Sequence, residues 1–119
     1  MKPMLKVQFL RKPARTDKGE NSDILVGFII KGHAGFADHG EDIVCAGASA
    51  IAQSALLGLQ DLYGDRVYFR REPGFLEVHM DVEDAAKTEC RTIMRVLELG
   101  LLSISQAYIR HIDITYENL

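Results

Sequence analysis

The sequence predicts a two-layer α+β domain with elements in the order β-β-α-β-β-α-β. Its sheet is antiparallel or mixed, and two helices cover one face. Three observations predict this. Short segments at residues 4–11, 24–31, 66–71, 75–80 and 110–117 carry apolar residues in alternation or in an unbroken run, as strands do. Two longer stretches, 43–63 and 83–107, repeat apolar residues every three or four positions. The chain has 119 residues, 47% of them apolar, which suits a single domain (1–119) with one modest core.

In the first strand Leu5, Val7 and Phe9 alternate with Lys6 and Gln8, so one of its faces is solvated. Residues 12–23 are polar and include Pro13, Gly19 and Asn21, which reads as an exposed hairpin loop. Residues 24–31 form a near-continuous apolar run, as expected of a central strand. The first helix spans 43–63, ends at Gly64, and is expected to bury Val44, Ala48, Ile51, Ala55, Leu59 and Leu62. Glu72-Pro73-Gly74 is a turn between two short strands. In the second helix Ala86, Cys90, Ile93, Leu97, Leu101 and Ile104 make the apolar stripe, with Gly100 weakening it slightly.

A formal net charge of −3 offers no electrostatic footprint for nucleic acid, so no direct nucleic-acid binding is expected. Residues 43–60 carry no formal charge, but Gly47, Ser49, Gln53, Ser54 and Gly58 interrupt them, so a buried helix is preferred to a membrane span. Two cysteines and no signal-like leader point to reduced thiols in a cytoplasm rather than a disulfide framework.

The rest of the chain is organised around residues 32–50. A strand ends at Gly32-His33, a polar loop with Gly35 and Gly40 follows, and an alanine-rich helix begins near Ile43. Asp42 suits the N-cap, which makes Cys45 the third helical residue. There the positive end of the helix dipole favours thiolate, and a neighbouring histidine can shuttle a proton. Ser49 lies one turn further on the same helix face. The residues themselves also admit plainer roles. Cys45 can be a small packed residue, His33 a strand-end side chain, Asp42 only a cap, and Ser49 a serine bonded back to its own helix. Cys90, on the apolar stripe, is core; His39 reads as a solvent-exposed loop residue, and His79 and His111 read as strand-edge residues. A metal site built from His33, Asp38, His39 and Cys45 matches no finger or ribbon spacing, so no metal and no cofactor is expected.

Gly32-His33-Ala34, the acidic glycine-bearing loop, and the run from Asp42-Ile43-Val44-Cys45 through Ala46-Gly47-Ala48-Ser49-Ala50 resemble the bacterial ribosomal-processing cysteine protease family, Prp. The resemblance implies a Cys45/His33 dyad, with Ser49 helping to hold substrate and Asp42 shaping the helix start or orienting His33. It implies as substrate the N-terminal extension of a large-subunit ribosomal protein (the twenty-seventh), cut after an aromatic residue, and it implies a homodimer. Backbone amides of Cys45 and Ala46 are expected to stabilise the oxyanion. The 34–41 loop is expected to be a lid hinged at Gly35 and Gly40, with Phe36 touching the peptide. Two other readings use the same residues: a non-catalytic ribosome-associated peptide-binding module, and a thiol redox sensor.

Overall fold

The structure is a computed structural model that describes residues 5–32 and 39–119, the side chains of 39–42 excepted. Strands β1 (Leu5–Arg15) and β2 (Asn21–Lys31) form a long hairpin, followed by helix α1 (His39–Tyr63). A 3-10 turn at Gly64–Arg66 leads into the hairpin β3 (Val67–Glu72) and β4 (Phe75–Met80). Helices α2 (Val82–Ala85) and α3 (Thr88–Ala107) come next, and β5 (Ile112–Asn118) ends the domain. The sheet is mixed and runs β3-β4-β2-β1-β5, with β5 parallel to β1 and the other neighbours antiparallel.

One sheet face is apolar because alternate residues point the same way. Val7 and Phe9 of β1, Phe28 and Ile30 of β2, and Val78 of β4 are buried beneath the helices. Lys6, Gln8, Lys31, Glu77 and His79 occupy the other parity and are exposed or half-exposed. The α+β architecture matches the sequence expectation, and so does the element order apart from a split in the second helix; several boundaries differ.

The expected loop at 12–23 is mostly strand. Lys12 to Arg15 pair with Ile24 to Asn21, leaving a short turn. This ribbon is polar on both sides, so no hydrophobic alternation announces it. Pro13 is tolerated because β5 accompanies β1 only as far as the Arg11–Asn118 pair, beyond which that side of β1 is an open edge.

The second helical stretch is two helices. Lys87 takes an extended conformation and breaks the pattern, and Asp17 in the first hairpin turn meets the new helix start. Its carboxylate accepts from Thr88 N–H at 2.7 Å and from the Thr88 hydroxyl at 2.9 Å.

In α1 the buried stripe is Val44, Ala48, Ala52, Ala55, Leu56, Leu59 and Tyr63. Leu62, expected inside, is exposed, and Ile51 is only partly covered, so the helix sits rotated from the expected face. Although α1 is apolar and long enough to cross a membrane by composition, here it packs on the sheet and on α3. Gly100 has a reason to be glycine: a Cβ there would lie 3.2 Å from the Ile51 methyl of α1, so its absence lets the helices approach.

Candidate active site

The sheet order creates the site. Because β4 lies beside β2, the Pro73-Gly74 turn sits at the C-terminal end of β2, where Gly32 N–H donates to the Gly74 carbonyl at 3.0 Å. The first half of α1 faces this turn. Between them lies a groove of about 600 Å³. Cys45, Ala46, Ser49 and Gln53 form its helical wall, Arg71 to Leu76 form the hairpin wall, and Leu5, Ile30 and Gly32 line the sheet side.

Cys45 is half-buried and lines this groove together with Ser49, one helical turn away. The expected pairing of these two residues on one face therefore holds. Gly32 is fixed by packing: a Cβ would fall 2.5 Å from Leu5 Cδ1 and 3.2 Å from Leu5 Cα. Only glycine lets the chain pass so close to β1 before it reaches residue 33. His33, Gly35 and Phe36 lie outside the described residues; Gly32, which lines the groove, is the residue before His33 in the sequence.

The start of α1 differs from expectation. The helix begins at His39, so Gly40 and Asp42 belong to its first turn, Asp42 is not the N-cap, and Cys45 is the seventh helical residue rather than the third. Acidic residues at 41 and 42 suit a first helical turn as well as a cap, which is why sequence alone misplaced the boundary. Two consequences follow. The dipole acts mainly within the first turn, so it aids a thiolate at Cys45 less than a third-position cysteine. The amides of Cys45 and Ala46 lie beyond the four unpaired N–H groups of a helix start, and in this conformation they are engaged in the helix.

Cys90 provides the contrast. It is the third residue of α3, and its thiol is pushed up to about 12 by burial and by the negative charges of Asp84 and Glu89. Its Sγ sits 3.6 Å from Met80 Sδ inside the core. A place in the first turn of a helix does not by itself activate a cysteine; access to a groove matters more.

Sequence reasoning missed Gln53, Arg71 and the turn Glu72-Pro73-Gly74-Phe75. Gln53 was within reach of it, since 45, 49 and 53 recur at four-residue spacing on a helix with few other polar side chains. The turn was not, because nothing local specifies that β4 docks beside β2.

A sequence profile for the family described as cysteine protease Prp matches residues 4–113. The chain belongs to the Prp family of cysteine proteases. The ribosomal processing cysteine protease Prp of Staphylococcus aureus is 28% identical over 101 residues, covering 85% of this chain and 92% of that protein. Prp of Bacillus subtilis is 28% identical over 108 residues, covering 83% and 88%. A crystal structure of the essential S. aureus Prp with a covalently linked product peptide superposes with a TM-score of 0.73 at 25% identity. It covers 96% of this chain and 100% of that one. The mixed five-stranded sheet with its helices is thus the Prp fold, and the protein is a cysteine protease.

Proposed function

We propose that this Prp-family protease is an endopeptidase in which Cys45 is the nucleophile and His33 the general base. Its proposed substrate is the N-terminal extension of the large-subunit ribosomal protein named by the resemblance above. The observation that carries this reading is the position of Cys45: a half-buried thiol in a groove of about 600 Å³, large enough for several peptide residues, whose lining includes Gly32, the residue before His33 in the sequence. The S. aureus relative holds product covalently, as a cysteine nucleophile would.

In the proposed cycle His33 takes the Cys45 proton and sulfur attacks the scissile carbonyl carbon, forming a C–S bond. The tetrahedral oxyanion collapses, the C–N bond breaks, and His33 returns the proton to the departing amine. Water, deprotonated by His33, then attacks the thioester and releases the new carboxylate and the thiol. For the Cys45 and Ala46 amides to meet the oxyanion, the carbonyls of residues 41 and 42 must release them. The homodimer and the cytoplasmic setting, where the thiol stays reduced, belong to the same proposal.

The test is cleavage of a peptide carrying the ribosomal extension, read by mass. The parent chain is expected to cut after an aromatic residue and Cys45→Ala to be inert, with unchanged denaturant unfolding. Cleavage by Cys45→Ala at the parent rate would overturn the mechanism.

A further inference from the structure

Arg71, near the end of β3, donates from Nη1 to Oε1 of Gln53 at 3.0 Å. Gln53 donates from Nε2 to Oγ of Ser49, also at 3.0 Å. Chemistry fixes the direction of this chain. A guanidinium has donors only, so the Gln53 atom facing it is the amide oxygen, and the amide nitrogen faces Ser49. The serine oxygen accepts, which leaves its own proton to donate elsewhere. Arg71 is steadied in turn by Phe69, two residues earlier on β3, whose ring centroid lies 5.9 Å from the guanidinium carbon. Ser49, Gln53 and Arg71 all line the groove that holds Cys45.

We propose that Gln53 and Arg71 are positioning residues: they hold the Ser49 hydroxyl as a hydrogen-bond donor to a backbone carbonyl oxygen of the bound peptide and so fix the peptide's register against Cys45. The spacing fits. Four helical residues rise about 6 Å, and an extended peptide repeats the same side of its backbone every two residues, about 6.6 Å. A peptide laid along α1 with its scissile carbonyl at Cys45 presents to Ser49 a carbonyl about two residues away. The inference rests on the proposed function, in that it takes Ser49 as a peptide contact.

The experiment is a double-mutant cycle in the Cys45→Ala background, with the affinity of a fluorescent peptide carrying the ribosomal extension read by anisotropy. Gln53→Glu keeps the shape of the side chain but can only accept, so the Ser49 proton must turn toward it and away from the peptide. Gln53→Glu and Ser49→Ala are each expected to weaken binding about threefold to tenfold, the worth of one hydrogen bond. The double variant is expected to be no weaker than Ser49→Ala alone, and Arg71→Lys, which keeps a donor, to lose less than Arg71→Leu. Additive losses in the double variant, or parental affinity in Gln53→Glu, would overturn the relay. Cleavage by the Cys45 protein is scored separately. Coupled binding without cleavage leaves the relay standing and overturns the proposed cleavage of this peptide, cleavage without coupling does the reverse, and no binding at all overturns both.

Discussion

At the scale of single residues, the two cysteines show how environment outweighs position. Cys90 occupies the third place of a helix, where the dipole is most helpful, yet it is fully buried beside Met80 and its thiol is raised to about 12. Cys45 sits deeper in its own helix but opens onto the groove. Only a deprotonated and reachable thiol reacts. A small alkylating reagent at neutral pH is therefore expected to add one label to the folded protein, at Cys45, and a second only after denaturation. Cys90→Ala should leave the rate of the first label unchanged. Intact-mass analysis gives the count, and two labels on the native protein would contradict this account. The pairing of Cys45 with Ser49 was legible in the sequence because helical spacing alone puts such residues on one face; Gln53 continues the same spacing and was missed. The partner of Gln53 was not legible, because Arg71 reaches it through tertiary structure.

At the scale of elements, helix starts were the least legible features. Asp42 looked like a cap and lies inside α1, while α3 takes its cap from Asp17, far away in the chain. The local sequence before Thr88 gives no sign of this, since Lys87 carries no capping side chain. The Thr88 N–H above all holds the Asp17 carboxyl below its ordinary value of 3.8; desolvation, next in size, opposes it, and the Thr88 hydroxyl and Arg91 add to the lowering. The sign follows from linkage. With the folded value depressed, the unfolded chain binds the proton more readily, so ionised Asp17 stabilises fully above about pH 3.8. That contribution drains away as pH falls further, through the folded value. Asp17→Ala is accordingly expected to lower the urea midpoint at pH 6, and the gap between variant and parent should narrow below pH 3.8. A gap that stays constant down to pH 2 would show that the carboxylate charge is not what matters. The polar ribbon of β1 and β2 was hidden for a different reason: strands without an apolar face carry no periodic signal.

At the scale of the whole molecule, the layer architecture was legible and the sheet order was not. Alternation and helical period set the number and kind of elements, but which strand neighbours which depends on packing. The helical layer leaves Leu57 and Val96 exposed on its outer side, and Ile109 beyond α3. Such side chains suit the proposed pairing of two copies by a two-fold axis. Light scattering at micromolar concentration is expected to give twice the chain mass of 13.3 kDa, and a mass of one chain would count against the dimer. The placing of the groove has a consequence for how this protease can diversify. The wall bearing Cys45 is also the buried spine of the domain, where Ala48, Ala52 and Leu56 fill the core and tolerate little change. The facing wall is a solvent-exposed turn on a peripheral hairpin, joined to the rest of the sheet through β4 alone. Substitutions at Glu72 and Pro73 can therefore drift and alter which peptides are accepted, with Gly74 held by its left-handed φ of 69°, while the machinery that cuts them stays under the separate discipline of the core.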